Sequence, residues 1–433
     1  MVKELTSQVQ VIENAKIDEK YYCFKHSSGL DIYIAPKNHT TAYALFSTKY
    51  GSIDSIFKQR DEAAYTVVPD GIAHFLEHKL FENEDGVDTF KRYAETGASA
   101  NAYTSFDKTA YLFSCTDNFE QSLEILLDFV THPYFTPATV EKEQGIIGQE
   151  IRMYDDNPGW QVYFSLLANM YEKHSVRLDI AGTVESISKI TDEVLYKCYH
   201  TFYNLNNMAL CVSGDITVEQ VKKVADKVLK KAEPSDIERF DYKEPNGVKT
   251  HKTEKKLKVS KPLFCIGLKD DETGFYGDEL AKKTYELSIL NEMLFSRASD
   301  FYTRLYDEGK INNKFYASYE VHPQYVYMLY GGESERAEEV YNDIIAEFEN
   351  KIKTGLDEKE FERSKRVFYA DCVKTFDNTS SIANTLITCL FKGYDILDFP
   401  QIIASITFED ICDRLKKIFK KDNFIISIVN PID

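Results

Sequence analysis

Short runs of alternating apolar and polar positions fill the chain from Tyr21 to Ser55. Runs such as LDIYIA and TAYALFSTKYGSI, rich in β-branched and aromatic residues and bounded by turn residues, predict strands. The period then changes in GIAHFLEHKLF (Gly71 to Phe81), where a helical reading places positions i, i+3 and i+4 on one face. ASANAYTSFDKTAYLFSC returns to β-branched and aromatic residues and predicts a hairpin. FEQSLEILLDFV and ATVEKEQGIIGQEIRMY regain helical spacing, and the second stops before Asn157, Pro158 and Gly159. NMALCVSGDI, Asn207 to Ile216, predicts a buried closing strand. After it, KKAEPSDIERFDYKEPNGVKTHKTEKK is polar and aperiodic, as a linker is. The expected organisation is a first domain over 1–230, a linker over 231–250 and a second domain over 251–433.

Beyond the linker the pattern begins again. FLEHKLF (75–81) matches ILNEMLF (289–295), RYAETG (92–97) matches RLYDEG (304–309), and NMALCVSGD (207–215) matches NFIISIVNP (423–431). The offset between the halves drifts only slightly, as small loop insertions would make it, so both halves are expected to share one fold. The expected class is α+β: two homologous domains, each a mainly antiparallel sheet covered by helices.

Composition narrows the function. A net charge of -18 disfavours a nucleic-acid backbone or an anionic membrane as partner. The eight cysteines are scattered through apolar strings with no CxxC pair, which reads as free thiols in a reducing compartment. The N-terminal stretch lacks the apolar core of a signal peptide, and no run approaches about eighteen apolar residues. A cytoplasmic location is the expectation.

Within the helical run, His74, Glu77 and His78 share one face. The duplication supplies an internal control, because their counterparts are Ser288, Asn291 and Glu292 while the apolar positions keep their character. The fold therefore does not require the polar trio, which weighs against two histidines that merely fill a core. A catalytic zinc takes three protein ligands and leaves a position open. Two histidines are one short, and Glu77 is better used beside the open position as a base. The helix ATVEKEQGIIGQEIRMY offers Glu143 and Glu150, two turns apart on one face, and spacing alone leaves open which of them serves. Aligning Asp156 and Asn157 with Asp377 and Asn378 sets Glu150 over Asp371 and Glu143 over Ser364.

HFLEH, followed 72 positions after His78 by the Glu of QEIRMYDDNP, resembles the inverted zinc motif of the pitrilysin (M16) metallopeptidases, the inverzincins. The resemblance extends over nearly the whole chain through NAYTSFDKTAY, KEQGIIGQEI, LDIAGTVESISKIT and FYNLNNMALCVSGDI, and it is to the active type of the bacterial subgroup. It implies one Zn2+ per chain held by His74, His78 and Glu150, with Glu77 as general base and Glu143 as an outer carboxylate supporting catalysis. It assigns Ala100 to Thr104 to an edge strand on which substrate lies, with Asn101 and Ala102 meeting the peptide and Tyr103 lining a pocket beside the scissile bond. Many relatives add an Arg and, seven residues on, a Tyr that grip the substrate carbonyl. Here Arg304 plus seven is Ile311, so Arg304 and the nearby Tyr316 are the candidates, without the usual pairing.

The function implied is a zinc endopeptidase acting on peptides or on one dedicated protein. The alternative is a processing or structural subunit of a heteromeric complex of the same family. The resemblance also implies assembly: family members of about this length hold two of the four domains of the longer ones, which implies a homodimer or a pairing with a related chain that lacks the zinc motif.

Overall fold

The computed structural model describes residues 5–432. The first half contributes strands β1 (Gln10–Asn14), β2 (Glu19–Lys25), β3 (Asp31–Pro36), β4 (Ala42–Thr48), β5 (Ile56–Gln59), β6 (Thr66–Val67), β7 (Ser99–Thr104), β8 (Thr109–Cys115) and β9 (Met208–Gly214). Then come β10 (Ile237–Arg239), β11 (Lys252–Leu257), β12 (Leu263–Asp270), β13 (Tyr316–His322), β14 (Tyr325–Glu333) and β15 (Phe424–Pro431). They build a seven-stranded sheet, β1-β2-β3-β9-β4-β8-β7, a five-stranded sheet, β11-β15-β12-β14-β13, and a small sheet, β10-β5-β6.

The order β3-β9-β4-β8-β7 in the first large sheet repeats as β11-β15-β12-β14-β13 in the second. Among the described strands, the one parallel pair in each is β3 with β9 and β11 with β15, and the rest are antiparallel. The expected pair of homologous α+β domains is therefore the architecture found.

Each sheet buries both faces, which is why β4 and β9 read as continuous apolar runs and not as alternating ones. One face of the first sheet (Ile32, Ile34, Phe46, Phe113, Leu210) packs against helices of its own domain, including Ile72–Lys79 and Phe119–Thr131. Its other face (Tyr33, Leu45, Cys211) meets the helix Thr379–Phe391 of the second domain. Reciprocally, the helix Pro158–Met170 of the first domain lies on the second sheet through Leu166, Leu167 and Met170. Gly267 in β12 lets it approach, since a Cβ there would come within 2.1 Å of Met170 Cε and 3.1 Å of Leu166 Cδ2. Those three side chains, fully buried, contribute about 1.5–3 kcal/mol each. That sum is comparable to the whole stability of an ordinary domain, so the exchanged helices bind the halves into one unit.

Two boundary segments carry more structure than the sequence pattern shows. Asn157 and Pro158, read as a helix stop, also start the next helix: the Asn157 side chain accepts from Trp160 N–H at 3.1 Å and Pro158 occupies the first turn. The linker is also tied down. Ile237–Arg239 pairs with β5, and the Glu244 carboxylate accepts from the amides of Glu172, Lys173 and His174 and from Lys269 Nζ at 2.8 to 2.9 Å. The polar stretch just beyond the linker is β11, whose side chains are mostly exposed, so apolar periodicity gave no sign of a strand.

Candidate metal centre and active site

The motif helix, Ile72–Lys79, is only eight residues long and is held by packing more than by propensity. Gly71 starts it at φ 90°, and a Cβ there would lie 2.4 Å from the Ala181 carbonyl oxygen, so a side chain has neither the conformation nor the room. Ile72, Phe75 and Leu76 are buried in the first core. The opposite face carries His74 and His78, whose rings stand 4.6 Å apart, together with Glu77.

The helix Pro137–Asp155 crosses this face. It is fixed at its start by a capping box between Thr136 and Thr139, with Pro137 in the first turn. Its two acidic residues, left undivided by spacing, take different places. Glu143 is buried and its Oε1 lies 3.0 Å from His78 Nδ1. Glu150 Oε1 is 3.8 Å from His74 Nε2, and its Oε2 is 3.5 Å from His78 Nε2. Tyr154, one turn further on, donates from its hydroxyl to Glu150 Oε1 at 2.6 Å.

One atom each of His74, His78 and Glu150 falls within 4.8 Å of the others, and this is the one such His/Cys/Asp/Glu group among the described residues. Four donors about 2.1 Å from a tetrahedral zinc sit about 3.4 Å apart, so the 3.5 and 3.8 Å separations suit that ion. The chemistry of the donors agrees. Burial, with His78 nearby, lowers the His74 pKa to about 4 and leaves its ring neutral. Burial also disfavours a charge on His78, but the Glu143 hydrogen bond and the surrounding carboxylates outweigh it and raise its pKa. With Nδ1 held by Glu143, the Nε2 of His78 is the nitrogen left toward Glu150.

Glu77 stands apart from the three. Its carboxylate is nearly buried, and Oε2 accepts a 2.6 Å hydrogen bond from Thr104 Oγ1. Burial raises its pKa and the Thr104 hydrogen bond works against that rise. From sequence, Thr104 had a place only as the end of the substrate edge strand, with no link to Glu77, and Tyr154 had none. Tyr154 stands at i+4 from Glu150 and could have been noticed; Thr104 reaches Glu77 only through the packing of a strand on a helix.

β7 is the edge of the first sheet and pairs on one side only, with β8. The Ala102 amide donates to the Asn101 side-chain oxygen at 2.9 Å. Alternation along β7 sends neighbouring side chains to opposite faces. Ala100 and Ala102 pack with the core under the motif helix and Thr104 touches Glu77, so Tyr103 turns to the other face. Its hydroxyl donates to Asn384 Oδ1 of the second domain at 2.7 Å, and its ring joins the layer between the domains.

Arg304 and Tyr316 are not brought to the three donors. Arg304 faces Asp343 and Glu347 at 3.7 and 3.8 Å, and Tyr316 covers Gly331 at the start of β13. Tyr316 instead lines a cavity of about 420 Å³ in the second domain together with Ser288, Asn291, Glu292 and Asp371, the counterparts of the first domain's polar set. There Glu292 pairs with Arg363 at 3.0 Å, and Asn291 Nδ2 donates to the Ser318 carbonyl at 3.2 Å.

Comparison with known proteins agrees with this division of the halves. Residues 42–184 match the family described as Insulinase (Peptidase family M16), and residues 189–368 match Peptidase M16 inactive domain. A Bacillus subtilis protein named uncharacterized zinc protease YmfH is 40% identical over 428 residues, covering 98% of this chain and 99% of that one. The mitochondrial-processing peptidase subunit beta of Caenorhabditis elegans is 30% identical over 161 residues, 36% of this chain and 35% of its own. Among solved structures, an M16-like peptidase from Alicyclobacillus acidocaldarius superimposes with a TM-score of 0.92 at 34% identity, over 97% of this chain and 100% of that one. A protease from Helicobacter pylori shares the fold, with a TM-score of 0.80 at 21% identity over 95% of this chain and 100% of that one. With both halves matched and a near full-length relative at this identity, the chain belongs to the M16 family of zinc metallopeptidases.

Proposed function

We propose that this chain is a zinc endopeptidase in which His74, His78 and Glu150 hold the metal and Glu77 is the general base. The observation that carries the reading is the convergence of the three donors within 4.8 Å beside a carboxylate, Glu77, that Thr104 holds apart from them. When bound, zinc supplies a Lewis acid that acidifies the attacking water and polarises the scissile carbonyl. Glu77 takes the water's proton on Oε1, since Oε2 is occupied by Thr104, and returns it to the leaving amine. Glu143 fixes the ring of His78 through Nδ1. The substrate backbone adds to the open edge of β7 at Asn101 and Ala102, where the Asn101 side chain now covering the Ala102 amide must give way. Arg304 and Tyr316 serve substrate binding only from the second domain's side. Peptide is the substrate class.

Assembly as a homodimer, or with a related chain lacking the zinc motif, completes the reading. A processing subunit working with such a partner is the second reading, favoured by the likeness to the mitochondrial-processing peptidase subunit beta. Among the described residues, no helix is long and apolar enough to cross a membrane. Six of the eight cysteines are buried within the fold, which supports a reducing cytoplasmic setting.

Glu77→Gln tests the reading. Gln is nearly isosteric but takes no proton, so zinc content measured by mass spectrometry stays stoichiometric. Hydrolysis of a quenched fluorescent peptide library falls by about 10² to 10⁴. Undiminished cleavage rejects Glu77 as the base, and wild-type protein that holds zinc but cleaves no peptide favours the structural subunit.

A further inference from the structure

The helix Pro137–Asp155 ends one turn beyond Glu150, and the side chain on that turn is Tyr154. Its hydroxyl donates to Glu150 Oε1 at 2.6 Å, while Oε2 of the same carboxylate lies 3.5 Å from His78 Nε2. The Tyr154 ring is itself held. It stacks on Trp160 with centroids 4.3 Å apart and planes at 11°, and Trp160 Nε1 donates to Asp179 Oδ2. Trp160 rides on Pro158–Met170, whose far end is buried on the second sheet, so the stack is anchored in the layer between the domains.

The duplicated half supplies a comparison. Asn157 caps Pro158–Met170 and Asn378 caps Thr379–Phe391, so these two residues are structural equivalents. Counting from them, the position of Glu150 is Asp371, that of Tyr154 is Thr375 and that of Trp160 is Ser381. The copy that lacks the histidines thus keeps the cap and lacks both aromatic residues. Had Tyr154 and Trp160 served only the joint between two helices, the second joint would have had the same use for them.

We infer that Tyr154 is a positioning residue for the metal site: its hydroxyl fixes the rotation of the Glu150 carboxylate so that Oε1 stays toward His74 and Oε2 toward His78, and Trp160 holds Tyr154 in place. An unrestrained carboxylate at the end of a flexible side chain must lose rotational freedom on binding the ion; one already hydrogen-bonded has lost it in advance. Trp160 is the single tryptophan of the chain, so its fluorescence reports on this stack without engineering.

This inference rests on the assignment of Glu150 as a zinc ligand, and the test separates the two. Zinc affinity is measured on the full chain by competition with a chromophoric chelator, for wild type, Tyr154→Phe and Tyr154→Leu, alongside thermal unfolding of the zinc-free proteins. Tyr154→Phe keeps the ring on Trp160 and removes only the hydroxyl. It is expected to weaken zinc binding about 10- to 100-fold, the range found for outer hydrogen bonds to metal ligands, with an unchanged unfolding midpoint. In wild type, zinc is expected to alter Trp160 emission, and Tyr154→Phe to shift that change to correspondingly higher zinc concentration. A Phe variant with wild-type affinity overturns the inference, and so does a loss confined to the Leu variant, which would make Tyr154 a packing residue. Wild-type protein that takes up no zinc instead removes the assignment beneath it.

Discussion

Thr104 Oγ1 lies 2.6 Å from Glu77 Oε2, a strand residue holding a helix residue 27 positions away. Its neighbour Tyr103 is held by Asn384 from the second domain, so the strand that presents Thr104 is braced from behind. A hydrogen bond to a charged group contributes about 1.5–3 kcal/mol. Thr104→Val keeps the shape and loses the donor, and kcat is expected to fall about 10- to 100-fold with KM and zinc content little changed. Thr104→Ser restores the hydroxyl and most of the rate. Steady-state kinetics on one fluorogenic peptide decides this, and equal losses in Val and Ser would shift the explanation to the methyl group.

Removing a metal donor is a separate matter from disturbing the base. His74→Ala, His78→Ala and Glu150→Gln each leave two donors and are expected to purify without stoichiometric zinc, whereas Glu143→Gln retains part of it. Metal analysis after dialysis against a weak chelator checks the set. Stoichiometric zinc in Glu150→Gln together with its loss in Glu143→Gln would exchange the two glutamates.

Acid should loosen the joint between the domains before it affects the surface. His174 and His322 lie in an aromatic cluster with Tyr325, and the Nδ1 of each accepts a backbone N–H, from Val176 at 3.0 Å and from Gln324 at 3.2 Å. Burial lowers their pKa values to about 4 and about 3. Below an unfolded value near 6.5 the unfolded chain binds protons that the folded chain refuses, so stability falls as pH drops from about 6.5 and the loss from His174 is complete near pH 4. Its contribution is on the order of 3 kcal/mol. Urea unfolding at pH 7, 6, 5 and 4 should give a shallower pH dependence in His174→Asn than in wild type; identical slopes would rule His174 out as a source.

The exchanged helices predict a single unfolding event. Leu166→Ala removes a side chain of the first domain from the face of the second sheet, at a cost of about 2–5 kcal/mol. Both domains should melt together at a lower temperature. A calorimetric trace that splits into an unchanged first transition and a lowered second one would show that the halves unfold independently.

How much of this was legible in the sequence depends on the range of the interaction. His74, Glu77 and His78 share a face because helical periodicity is local, and the loss of all three in the repeated half marked them as dispensable to the fold. The duplication itself was legible as drifting matches of apolar pattern, and the sheets repeat the same strand order. What spacing could not decide was which glutamate faces which histidine, because Glu143 and Glu150 lie on one side of one helix and only its crossing over the motif helix separates them.

Strand parity behaves the same way. Adjacent residues of β7 point to opposite faces, and only the packed sheet shows that Thr104 faces Glu77 while Tyr103 faces Asn384. The polar β11 escaped notice because an exposed edge strand needs no apolar alternation. An amphipathic helix records that one of its faces is buried, but not against what. That Pro158–Met170 covers the other domain's sheet, and Thr379–Phe391 covers the first, was settled by tertiary packing, where a sheet needs both faces buried and the neighbouring domain supplies the cover.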